Sequence, residues 1–181
     1  MYSNASYHHH WHNPMHRHWN YNWSYDRNPY YHKWHNHHNH HPHGNIFLQD
    51  HGTKPFVVNI NQAAKQNNNY RTALWTGKNL QVTLMSIKVG EDIGLEVHPA
   101  TDQFIRIEEG QGFVQMGNSK DNLNFQAMAY DGYAIMIPAG TWHNVTNAGY
   151  RPLKVYSIYA PPQHPFGTVH ETKAIAQQQG D

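Results

Sequence analysis

The 181-residue chain contains no cysteine, which excludes disulfides, thiolate metal sites and a cysteine nucleophile. Any metal it binds must be held by nitrogen and oxygen. Leu, Ile and Val are absent from residues 1–44, and no glycine precedes Gly44. A segment without branched aliphatic side chains has little to close-pack, so the ordering entropy of its backbone goes largely unopposed. Residues 1–44 are therefore read as a disordered tail, and 45–181 as one domain, a length too short for two separate cores. No run approaches the roughly eighteen apolar residues of a membrane span, and the N-terminus lacks the apolar stretch of a secretory signal. Neither a membrane partner nor a signal peptide is expected. An excess of charge is missing too: the tail sets Arg17, Arg27 and Lys33 against Asp26, and the whole chain has 13 basic and 12 acidic residues. Without a basic face there is no footprint for nucleic acid.

What the tail does hold is 13 of the 18 histidines, four of the six tryptophans and six of the twelve tyrosines. Pro14, Pro29 and Pro42 forbid a long helix there. The clusters His8, His9, His10, His12 and His37, His38, His40, His41, His43 are candidates for capturing additional metal ions such as Zn²⁺, Ni²⁺ or Cu²⁺. Below about pH 6.5 they would make the tail strongly cationic. The competing reading is a low-complexity extension without a ligand role. The composition is similar to that of bacterial spore-coat and surface proteins, which sets two expectations for location, the cytoplasm or a spore coat or surface.

From Asn45 onward, short apolar runs alternate with Gly, Asn, Asp and Pro at intervals of about 8 to 12 residues, the pattern of an all-β sandwich or barrel. Strands are expected at 56–59, 71–75, 80–89, 94–98, 103–108, 112–116, 124–129, 133–137, 143–147 and 153–159. Short helical pieces are expected at 62–66 and 171–178.

Two stretches carry the chemistry. One runs Gly94-Leu-Glu96-Val-His98-Pro-Ala-Thr-Asp102-Gln103 and closes at Gly110; the other is Gly132-Tyr-Ala-Ile-Met-Ile-Pro138-Ala-Gly140-Thr-Trp-His143-Asn-Val-Thr-Asn147. The second resembles the second cupin motif at every fixed position. The first resembles the first cupin motif with departures: Glu96 stands where a histidine is usual, His98 matches the second histidine, and Gln103 replaces the usual glutamate. Gly110 matches the closing glycine, whereas Gly90, not Gly94, has the standard opening spacing. The resemblance covers most of residues 56–166. It implies a cupin double-stranded β-helix, or jelly-roll barrel, with one divalent metal ion held by Glu96, His98, Gln103 and His143. It also implies association through the barrel, a possible route to a homodimer.

Alternation supports the ligand set on its own. Glu96 and His98 are two apart, so on a strand they share a face. Gln103 shares its face with Ile105 and Ile107, and a polar tip among apolar neighbours needs a partner that a cation can supply. Asp102 is the alternative third oxygen, though alternation turns it away from Gln103. Arg106 is expected to face outward or to pair with Glu108. Gln81, Thr83 and Met85 share one face and are candidates to line the cavity, as are Tyr156 and Tyr159. His164, after the last strand, is the outside candidate for a proton-transferring group, with Asp102 the other.

Two imidazoles, a carboxylate and an amide oxygen suit Zn²⁺, Ni²⁺, Mn²⁺ or Fe²⁺. Such a site would act on a small-molecule ligand, sugar-like or otherwise oxygenated, as an isomerase or lyase. The alternatives are a non-haem dioxygenase and a non-catalytic metal- or sugar-binding component of a spore coat or surface.

Overall fold

A computed structural model describes residues 44–179; the tail read over 1–44 lies, but for Gly44, outside them. The first element is helix α1 (Ile60–Gln66). Asn59 caps it, its side chain accepting from the Gln62 N–H at 3.1 Å, and this satisfies one of the amides that a helix start leaves open. Nine strands follow: β1 (Arg71–Thr76), β2 (Gln81–Ile87), β3 (Asp102–Glu109), β4 (Gln111–Gly117), β5 (Phe125–Tyr130), β6 (Ala134–Ile137), β7 (Trp142–Asn147), β8 (Leu153–Ala160) and β9 (Val169–His170). A short helix α2 (Lys173–Gln178) ends the described chain. The strands form a six-stranded sheet, β6-β3-β8-β2-β1-β9, and a three-stranded sheet, β5-β4-β7. Every strand pairing is antiparallel, as the expected jelly roll requires.

The two sheets face each other across a core of Met85, Ile105, Ile107, Val155 and Leu153 from the larger and Val114, Ala129 and Val145 from the smaller. The larger sheet is buried on its other face as well. Ala63 and Ala64 of α1, with Phe56, Val58 and Ile60, pack on Leu74, Leu84, Val82 and Tyr156. This explains one departure from expectation. Residues 56–59 form no strand; Phe56 and Val58 alternate because they reach the outer face of a sheet that they do not join, and Pro55 has no N–H to offer a ladder.

Residues 94–98 are the second departure. They pair with β7 at one isolated bridge, Glu96↔His143, with a second, Asp92↔Thr146, just ahead of them. Gly94 takes φ +92°, a left-handed turn that an L side chain resists, and it prevents a continuous ladder. The two residues of β9 went unanticipated because they are too few to show a period.

Asn147, the last fixed residue of the second motif, has a structural role. Its buried amide donates to the carbonyls of Ile87 and Arg151, each at 2.8 Å, and its oxygen accepts from the Gly149 N–H at 2.9 Å. Asn147→Ala strands three backbone groups and is expected to cost about 3 kcal/mol, measurable as a lower urea midpoint with an unchanged m-value.

Candidate metal centre

The inner face of the larger sheet is graded. Cross-strand register sets Gln81, Tyr159 and Gln103 in one row, Thr83, Ser157 and Ile105 in the next, and Met85, Val155 and Ile107 in the third. All nine are buried, so the interior passes from polar to apolar along the strands. The candidate site lies at the polar end.

Glu96 and His143 are direct antiparallel partners, exchanging backbone hydrogen bonds of 3.0 and 2.9 Å. That pairing sets their side chains next to each other, and His98, two residues on, returns to the same place. Gly140, at φ +77°, donates its N–H to the His98 carbonyl at 2.8 Å, so the turn of the second motif is tied to the strand-like segment of the first. The result is a cluster in which Glu96 Oε1 lies 3.3 Å from His98 Nε2 and 3.2 Å from His143 Nε2. The ligand atoms of the three residues all fall within 4.8 Å of one another.

The protonation states within this cluster test whether it fits a cation. His143 Nδ1 is 2.9 Å from the Thr141 carbonyl, an acceptor that requires the proton on Nδ1. In the neutral ring Nε2 is then a bare lone pair aimed at a carboxylate oxygen. Two acceptors 3.2 Å apart repel unless a proton or a metal ion lies with them, and a backbone carbonyl on Nδ1 is the usual partner that orients a metal-binding imidazole. Burial would raise the Glu96 pKa, but His143 and then His98, which hydrogen-bond to the carboxylate and add their charge whenever they carry the shared proton, outweigh it and hold the carboxyl at about 2. Glu96 is therefore an anion at any ordinary pH, and the donor set suits a divalent ion of nitrogen and oxygen preference.

Gln103 belongs to the same interior. It is 3 % exposed, and its Oε1 has no hydrogen-bond partner among the described residues, an orphaned acceptor of the kind that a cation satisfies. Its row neighbour Tyr159 lies edge-on to the His98 ring at 5.7 Å. Asp102 is elsewhere. It is exposed on the outer face, its Oδ1 accepting from the Ala139 N–H at 2.9 Å, so neither a ligand nor a catalytic role in the cavity is open to it. Alternation along β3 puts Asp102 and Gln103 on opposite faces.

His164 does reach the site. A cavity of about 710 Å³ opens over Glu96 and His98 and is walled on the far side by Gln163–His170 and Gln179. The His164 ring stands edge-on to Tyr159 at 5.0 Å. Burial, and then the charge of Arg71, push its pKa down to about 3, so the imidazole is neutral. The Gln81 carboxamide holds this segment over the mouth by donating to the His164 carbonyl at 2.9 Å and accepting from its N–H at 3.0 Å. Gln81→Leu is expected to loosen it, with amide hydrogen exchange at Gln163 and His164 accelerating by about tenfold or more while core amides keep their protection.

Tyr156 faces outward, into the layer under α1, and Tyr159 inward. Arg106 is half exposed with Nε 3.4 Å from Glu108 Oε1, in line with both expectations for it. The residue that sequence reading missed is Arg71. It is buried at 2 % exposure, and the available signal was its position on β1, where it shares the inward face with Ala73.

Comparison with known proteins agrees with this architecture. A family model described as "Cupin domain" matches residues 83–159. The Bacillus subtilis (strain 168) protein YrkC is 71% identical over 132 residues, which span 73% of this chain and 71% of that protein. A protein of Acanthamoeba polyphaga mimivirus is 41% identical over 115 residues, covering 63% of this chain and 70% of its own. The crystal structure of BH2720 from Bacillus halodurans, 69% identical, superposes with a TM-score of 0.72 over 72% of this chain and 99% of that one.

Proposed function

Because this chain belongs to the cupin family, we propose that it is a metal-dependent cupin in which Glu96, His98 and His143 hold one divalent ion, with Gln103 as a further donor, and which acts on a small oxygen-rich molecule admitted through the cavity of about 710 Å³. The observation that carries this reading is the convergence of His143 Nε2 and His98 Nε2 on one Glu96 oxygen at 3.2 and 3.3 Å, a cluster that a cation makes favourable. The ion would supply Lewis acidity, polarising a carbonyl or vicinal hydroxyls for isomerisation or elimination.

The chain's own residues do the rest. Thr141 sets the tautomer of His143. Tyr159, with its phenol raised by burial to about 12, stays protonated and packs against both His98 and His164. His164, neutral and held by Gln81, stands in the cavity wall as a hydrogen-bond partner for the bound molecule.

A second reading rests on the same donors. Two imidazoles and one carboxylate make the facial set of non-haem iron oxygenases, and those are the three residues whose ligand atoms cluster. Elemental analysis of the full chain tests the shared core of both readings. The His98→Ala, His143→Ala chain keeps every tail histidine and should carry one metal ion fewer per chain; equal metal content in the two would refute the barrel site. Identification of the lost ion as iron would favour the oxygenase reading, and zinc, nickel or manganese the isomerase or lyase reading.

A further inference from the structure

The far wall of the cavity belongs to neither sheet. Residues 161–168, between β8 and β9, form no strand and no helix, and groups from elsewhere in the domain fasten their backbone. Gln81 of β2 takes the buried side, through the N–H and the carbonyl of His164. Asp50 takes the exposed side, its Oδ2 accepting from the Gly167 N–H at 2.9 Å. The Ala73 N–H of β1 secures the end by donating to the Thr168 carbonyl at 2.8 Å.

The two side chains are themselves joined. Thr76 Oγ1 donates to the same Asp50 oxygen at 2.6 Å and accepts from Gln81 Nε2 at 2.9 Å. One relay therefore runs Asp50–Thr76–Gln81–His164, while Asp50 also reaches Gly167 directly. Asp50 lies ahead of α1 on a stretch tied to β1, where the His51 N–H donates to the Leu74 carbonyl at 2.9 Å and Trp75 Nε1 to the Lys54 carbonyl at 2.8 Å. The other Asp50 oxygen accepts from the Gly52 N–H at 2.9 Å. Gly52 turns at φ +62°, and a Cβ there would meet the Phe166 ring at 3.2 Å, so the stretch lies close against the tip of the wall.

A hydrogen bond to a charged acceptor is stronger than one between neutral groups. An irregular segment outside a ladder opens at lower free energy than the strands around it. Asp50 thus acts on the part of the enclosure that opens most readily. We propose that Asp50 is the latch of this wall: it positions residues 163–168 over the metal position, and release of the latch sets access to that position. Asp50 is neither one of the clustered donors nor part of the cavity lining, so its role is positioning. The latch rests on the metal reading above and adds how the same site is opened.

Zinc release from the loaded full chain into excess EDTA tests it, read as the kinetic phase that the His98→Ala, His143→Ala chain lacks. Asp50→Ala should speed that phase by about tenfold or more and leave its amplitude unchanged. Thr76→Val removes the bridging hydroxyl from a strand that tolerates valine, and should speed it in the same direction. Asp50→Asn retains an accepting oxygen and should fall between Asp50→Ala and the parent. Amide hydrogen exchange at His164 and Gly167 should accelerate together with zinc release, while core amides keep their protection. Should Asp50→Ala fold poorly, Thr76→Val decides. Faster exchange without faster zinc release overturns the control of access, and unchanged exchange overturns the latch itself. A parent chain with no zinc phase beyond that of the double variant overturns the metal reading and the control of access with it, and the exchange data then judge the latch alone.

Discussion

Saturating divalent metal is expected to raise the melting temperature of the full chain by on the order of ten degrees, and His143→Ala to abolish that rise. An ion that binds the folded state alone stabilises it by about 4 kcal/mol at a thousandfold excess over Kd, and a domain of this size converts that into a shift of roughly ten degrees. The discrimination comes from assembly. Glu96 and His143 are 47 positions apart, and only the folded sheets bring them and His98 together, so unfolding destroys the site. Comparison with His143→Ala, which keeps every tail histidine, cancels whatever metal bound outside the cluster contributes to the shift. Glu96→Gln is the companion variant, since it keeps the shape and removes the charge. A rise in melting temperature that survives both substitutions would place the stabilising ion elsewhere.

Acid should begin to weaken the metal-free protein at pH 6.5, before carboxylates start to titrate. His164 has its pKa pushed from 6.5 to about 3 in the folded chain, by burial first and by Arg71 second, with Glu96 opposing. A group whose folded value is depressed contributes stability that is complete above its unfolded value and is lost as pH falls through the interval between the two. That window runs from pH 6.5 down to about 3. Each unit of pH costs up to about 1.4 kcal/mol there, so by pH 4.5 the loss is on the order of 2 to 3 kcal/mol. Glu96, held at about 2 against an ordinary 4.5, adds a second loss in the same direction but lower, between those two values. Urea denaturation of the metal-free chain at pH 7, 5.5, 4.5 and about 2.5 separates them. His164→Gln should flatten the upper window and leave the lower one in place; the same slope in variant and parent would show that His164 is not the group responsible.

The cluster of Glu96, His98 and His143 was legible in the chain before any fold was known because it depends on local facts. Spacing of two residues put Glu96 and His98 on one face, and the run Pro138-x-Gly140 ahead of His143 marked the turn that returns the chain. Gln103 and Asp102 were separated by the alternation of a strand, which the structure retains along β3. The segment 94–98 was harder: side-chain direction was readable there, but strand regularity was not, since Gly94 and the sparse pairing with β7 leave the period intact over too few residues.

Arg71, by contrast, could be placed from the chain no further than on the inward face of β1. It shares the wall of a small hollow with Glu96 and pairs with His170 of β9, residues 25 and 99 positions away along the chain. The same holds for the clamp of Gln81 on His164, 83 residues away, and for the outer layer that made Phe56 and Val58 resemble a strand. Periodicity and spacing report which way a side chain points relative to its own neighbours. What it meets there depends on sheet order and register, and these are set by packing across the whole domain. The candidate donors Glu96, His98 and His143 are therefore written in the local sequence, while the packing around them exists only once the strands have closed.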